Sequence, residues 1–151
     1  MAPGSDNKAS TDALLERARN LNSRAQAERD LGNTVRAVEL YTELEDLQRR
    51  AGNPQGVAHA VRHQADIHRE NALTELARAL YEEALDIYRD ESGTSPPDLA
   101  NALRGLALSY SLARQPDQAR PLWEEAREIY ESAGFKAGAD ECNMWLKASG
   151  P

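Results

Sequence analysis

The sequence predicts an all-α fold of three helical hairpins stacked in a row and closed by a C-terminal helix. Three observations predict it. The chain repeats itself: AVELYTELEDLQR at 37–49, ARALYEEALDIYR at 77–89 and ARPLWEEAREIYE at 119–131 end alike, with an aromatic at Tyr41, Tyr81 and Trp123 and so a period of about 40 residues. Its apolar positions recur at helical spacing. Ala37, Ala77 and Ala119 precede the aromatic, while Leu44, Ala84 and Ala126, then Leu47, Ile87 and Ile129, follow it on the same helix face. Finally, no stretch alternates apolar and polar residues for long enough to make a strand.

Taken in order, the elements are helices near 11–30, 34–51, 55–71, 74–91, 97–113, 117–133 and 137–147. The first carries the faint copy Ala18, Leu21, Ala25 and ends before Gly32-Asn33. The second runs to Gly52-Asn53-Pro54, and Asn53-Pro54 reads as an N-cap followed by proline at the first helical position, where its missing N–H costs nothing. The third and fifth echo each other: VAHAVRHQADI at 57–67 matches LANALRGLALS at 99–109. Ser95-Pro96 repeats the capping signal, Gln115-Pro116-Asp117 opens the sixth helix, and Gly134 suits its end. Residues 1–10 are polar and small and are expected to be a disordered tail, leaving 11–151 as a single domain.

Composition limits the function classes. The 151 residues are 40% hydrophobic and 28% charged, a globular balance, but only 5% aromatic, so the core must rest on Ala and Leu. A net charge of −7 argues against a nucleic-acid binder or a ligand of acidic membranes. One cysteine, Cys142, allows no internal disulfide and fits a reducing compartment. No apolar leader or membrane-length run is evident, so a cytoplasmic address is expected.

These residues resemble the tetratricopeptide repeat. Unit three fits best through Leu103, Leu106-Ala107, Tyr110, Ala119, Trp123 and Ala126. Unit two keeps Val61, Ala65, Ala77, Tyr81 and Ala84, with Gln64 and His68 where the family has Leu and Tyr. Unit one keeps Leu21, Ala25, Gly32, Ala37 and Tyr41, with Arg24 and Glu28 in those two places. The VRHQADIHRE stretch is also similar to small stand-alone bacterial proteins of this type. The resemblance implies a right-handed α-solenoid with repeats about 18–51, 58–91 and 100–133 and a cap helix about 137–147. It further implies a non-catalytic module that binds a peptide or protein segment in the groove lined by the first helix of each repeat. Chaperone-tail binders of the family carry a basic and amide clamp. The corresponding Asn22, Gln26, His63, Asn101 and Gly105 lack its cations, so that ligand is not implied.

The candidate groove residues follow. The first helices balance their charges, whereas the second helices are acidic. Away from the apolar stripe, the first helices present Asn22, Gln26, His59, Arg62, His63, Asp66, Asn101, Arg104 and Leu108. Asn22, Arg62 and Arg104 occupy equivalent positions and should form a ladder. Arginine forks suit a partner's carboxylates or carbonyls, unless acids such as Asp66 or Glu70 take them first. His59 and His63 have the spacing of two zinc ligands, but the only nearby help, Asn22, Gln26 or Asn101, is amide, so no metal is expected. His68 lies where unit three has Tyr110 and is expected to be packed and hydrogen-bonded. No phosphate loop, metalloprotease motif or nucleophile elbow is present, and neither enzyme activity nor a cofactor is expected. The alternative to groove binding is self-association into a homodimer through the cap helix, where Met144 and Trp145 cannot both face unit three.

Overall fold

The computed structural model describes residues 4–150. Seven helices follow one another: α1 (Gly4–Asp30), α2 (Thr34–Arg50), α3 (Pro54–Glu70), α4 (Thr74–Asp90), α5 (Pro96–Leu112), α6 (Pro116–Ala133) and α7 (Lys136–Ala148). There is no strand among the described residues. From α2 onward each boundary falls within one residue of the sequence reading. The exception is the start of α1. Residues 4–10, expected as a disordered tail, continue that helix, and residues 1–3 lie outside the described residues. No proline interrupts Gly4 to Asp30, and once Ala18, Leu21 and Ala25 are packed each further residue adds a hydrogen bond without a new nucleation cost.

The punctuation works as its chemistry requires. Pro54, Pro96 and Pro116 open α3, α5 and α6, and the Asn53 side chain accepts a hydrogen bond from the Gly56 amide at 3.3 Å, whereas Ser95, expected to cap α5 in the same way, makes no side-chain cap hydrogen bond. Each hairpin turn needs one left-handed residue. Gly32 supplies it in unit one (φ 79°), but Ala72 (62°) and Arg114 (59°) must adopt it in units two and three, at a cost of roughly 1–2 kcal/mol each. The inter-unit turn is closed by left-handed Gly52 and Gly134, whereas the α4–α5 connection takes the longer Glu91–Ser95 segment instead. That longer loop is the source of the uneven repeat period.

Packing is governed by the second-helix aromatics. Tyr41, Tyr81 and Trp123 are each 0% exposed, and each reaches the first helix of the following unit. Tyr41 stacks on His63 of α3 (centroids 4.9 Å, 11° between planes), and Trp123 stacks on Trp145 of α7 (5.8 Å, 6°). Between them Tyr81 lies so close to Gly105 of α5 that a Cβ there would stand 2.2 Å from its ring. Ala60, Ala102 and Cys142 are likewise fully buried at matching depths of α3, α5 and α7. In this register α7 is the first helix of a fourth unit. On the opposite face the second helices are tied by Arg49 to Glu83 (2.8 Å) and Arg89 to Glu125 (2.7 and 2.9 Å).

Gly105→Ala tests this register. Helix propensity favours the change by about 1 kcal/mol. The Tyr81 ring is pinned through its hydroxyl, however, and overpacking of this kind costs about 1–3 kcal/mol. We expect a net loss of about 1 kcal/mol or more in urea denaturation; a stabilised variant would place Tyr81 elsewhere.

Candidate functional site

The first-helix face of units one and two is built around Asp66 and a histidine pair. Asp66 is buried and accepts from the Tyr81 hydroxyl, and from Arg62 Nη1 at 3.3 Å, while Arg69 Nη2 stands 4.0 Å away. Arg69 Nε in turn donates to the Tyr81 oxygen at 3.1 Å. Burial and the Asp66 carboxylate push the Tyr81 phenol far above its ordinary value, so it stays a donor. His59 and His63, one turn apart on α3, share a hydrogen bond between their Nε2 atoms (3.1 Å) and meet edge to face. Burial, then the Arg62 charge, lowers both; His63 is brought down to about 2. The shared hydrogen bond requires at least one neutral ring, since one must accept, and the lowered pKa of both keeps the pair neutral at pH 7.

The expected row is therefore divided. Asn22, His59, Arg62 and His63 adjoin one another across α1 and α3. Arg62 reaches His59 Nδ1 at 3.5 Å, and Asn22 and His59 line one cleft. Gln26 is tethered, donating to Asp30 at 2.8 Å and accepting from Tyr41 at 3.4 Å. Asp66 is not groove floor but the buried acceptor beneath it. Neither arginine of the ladder is open to a carboxylate: Arg62 is held by Asp66, as the internal alternative anticipated, and Arg104 by Glu141 of α7 at 2.5 and 3.0 Å. Asn101 accepts from Tyr130 at 2.6 Å, and Leu108 is 7% exposed and part of the core.

Two further expectations are corrected. His68 is only half-buried and makes no hydrogen bond among the described residues, because its position lies in the last turn of α3, at the hairpin edge. Burial still lowers its pKa. Trp145 is occupied by Trp123, leaving Met144, 57% exposed, as the free apolar residue of a face otherwise made of Lys136, Asp140, Asn143 and Lys147. Cys142 is buried, and burial raises its thiol to about 11, so it is unreactive. Among the described residues no three His, Cys, Asp or Glu side chains gather as a metal site would need, and no helix is long and apolar enough to cross a membrane.

What the sequence did not single out is a cleft of about 230 Å³ between α1 and α3, floored by α2. Leu15, Ala18 and Leu44 form its apolar wall, and Arg19, Asn22, Gln48 and His59 its polar rim. Comparing position 48 with its repeats at 88 and 130 would have revealed it.

The sequence pattern of the Tetratricopeptide repeat matches residues 56–132, half of the chain. The chain belongs to the tetratricopeptide repeat family. Two crystal structures share the tetratricopeptide fold. BtubC (BKLC) from P. vanneervenii is 19% identical with a TM-score of 0.65 over 87% of this chain and 62% of its own. A Podospora anserina putative kinesin light chain with nearly identical TPR-like repeats is 18% identical, with a TM-score of 0.60 over 88% and 74%. The tetratricopeptide chain thus spans less than two thirds of the length of BtubC. No curated protein sequence matches it.

The buried histidine gives this repeat protein a pH signature. His63 has a folded pKa near 2 against 6.5 when exposed, so only the unfolded chain takes up its proton as pH falls through 6.5. Its effect on stability is nil above that pH and unfavourable below it, by about 1.4 kcal/mol per pH unit for one proton. We expect His63→Phe, which keeps a ring on Tyr41, to lose less stability than wild type in urea titrations between neutral pH and about pH 5. Parallel losses would show that His63 charges without penalty in the fold.

Proposed function

We propose that the chain is a non-catalytic interaction module that holds an extended peptide or protein segment in the concave groove of its first helices, chiefly across α1 and α3. The observation that carries this reading is a set of buried polar atoms with no partner in the chain. Asn22 Oδ1 and His63 Nδ1 lack one, and both residues lie on this face beside Arg62 and His59. Buried polar groups in folded proteins are nearly always satisfied, and each one left bare costs about 1–3 kcal/mol, so a local group of them marks a surface completed by something else. A segment laid in the groove supplies donors and acceptors along its backbone. The family resemblance points the same way.

The internal pairing of the arginines changes what is recognised. With Arg62 neutralised by Asp66 and Arg104 by Glu141, the floor offers hydrogen bonds and shape more than charge. The partner's contacts are then made with Asn22, Gln26, His59 and His63, and binding depends only weakly on salt, unlike that of a carboxylate clamp.

Affinity capture from the native cell extract tests this, with Asn22→Lys as the groove variant and Glu82→Lys, on an exposed part of α4, as the control. The expected outcome is a partner retained by wild type and the control and lost by the groove variant, at unchanged mass in light scattering. Equal capture by all three would overturn the groove, and a dimer mass lost on Met144→Lys would favour self-association instead.

A further inference from the structure

The three units are not equally filled, and the difference has a chemical identity. At the end of each second helix one side chain turns toward the first helix of the next unit. In unit three it is Tyr130, which packs on Gly138 of α7 so closely that a Cβ there would lie 2.7 Å from the ring. In unit two it is Tyr88, buried to the same degree. In unit one the equivalent residue is Gln48, which lies over Gly56 of α3 in the same way, with a Cβ at Gly56 falling 2.5 Å from its Cδ. The ladder position beside it changes in parallel: Arg62 and Arg104 in units two and three become the shorter Asn22 in unit one. Two large side chains are thus replaced by two small ones at a single place in the repeat.

The space they leave is the α1–α3 cleft. Its volume, about 230 Å³, is below the roughly 300–1,000 Å³ of small-molecule sites and suits one side chain. Its wall of Leu15, Ala18 and Leu44 is apolar, and at its rim Asn22 Oδ1 is a buried acceptor with no donor. An apolar body with one hydroxyl at its tip meets both requirements. The chain shows the solution in unit three, where the Tyr130 ring is buried and its hydroxyl donates to Asn101 on the first helix of its own unit at 2.6 Å.

We infer that the cleft takes a tyrosine side chain of the bound segment, which completes unit one as Tyr88 and Tyr130 complete units two and three. The inference rests on the groove reading and names the residue on which the segment is anchored. Tyrosine suits that role because it buries much area for few rotatable bonds and is enriched among the residues that dominate interfaces. The ring stands against Leu15, Ala18 and Leu44 and the hydroxyl donates to Asn22.

The test uses the whole chain and three probes, the N-acetyl amides of tyrosine, phenylalanine and leucine, followed by amide shifts in heteronuclear NMR. The tyrosine probe should shift Gly56, His59 and the Asn22 side chain. It should bind about fivefold tighter than the phenylalanine probe, the ratio for one neutral hydrogen bond of about 1 kcal/mol. Gln48→Tyr should fill the cleft and abolish these shifts. Asn22→Leu, which keeps the apolar wall and removes the acceptor, should bind the tyrosine and phenylalanine probes equally, so the test does not depend on one variant folding. Equal binding of the leucine probe, shifts elsewhere, or no shifts would overturn the tyrosine anchor. If Asn22→Lys still abolished capture in that event, the groove would stand and only its anchor would fall.

Discussion

Each unit of this chain is held to the next by one buried aromatic that leaves its own second helix and ends against the following first helix. Tyr41, Tyr81 and Trp123 have no solvent contact, and a hairpin alone has nowhere to put them. The small residues around them, Ala37, Ala77 and Ala119 on one side and Ala60, Ala102 and Cys142 on the other, let the helices approach until the ring is enclosed. What meets the ring then sets the character of each joint. His63 under Tyr41 brings a neutral histidine pair and Asp66 to the first-helix face. Gly105 under Tyr81 allows the closest approach, and Trp145 under Trp123 makes α7 part of the array.

Electrostatics follow from the same stacking. Ion pairs between neighbouring units repeat along the second helices, Arg49 with Glu83 and Arg89 with Glu125, and on the other face Arg29 joins Glu70 and Arg104 joins Glu141. Most are exposed and worth little individually. Their consequence is distributional: Arg29, Arg62 and Arg104 of the first-helix face are paired within the chain, and the acidic excess stays on the second helices. A groove of this kind discriminates by fit and by the hydrogen bonds it leaves unmade.

Much of this was legible in the sequence because the signals are local. Proline at the first helical position and glycine at the inter-unit turns fix boundaries to within a residue, and the period exposes the buried aromatics. The start of α1 was not legible, since residues 4–10 carry no apolar stripe and are helical only by continuation from the packed part. The ladder was legible as positions, and the pairing of Arg62 with Asp66 as an alternative, but the pairing of Arg104 was not. The partner of Arg104 is Glu141, thirty-seven residues away on a helix read only as a cap. Asp66 was misplaced for a related reason: spacing on α3 points it along the polar row, but Tyr81 and Arg69 enclose it once α4 folds back. Leu108 joined the core because α5, unlike α1, is covered on nearly all sides.

The claim that inter-unit aromatic joints build the array is most exposed at its last element, where a short helix has only one neighbour. Native-state hydrogen exchange measured residue by residue along α5, α6 and α7 tests it most directly. If Trp123 on Trp145 and Arg104 on Glu141 seat α7 as the first helix of a fourth unit, amides around Cys142 and Trp145 exchange on the slow scale of α5 and α6, and Trp123→Ala releases α7 before either. An α7 that exchanges like a frayed end in the wild type, while α5 and α6 stay protected, would contradict it.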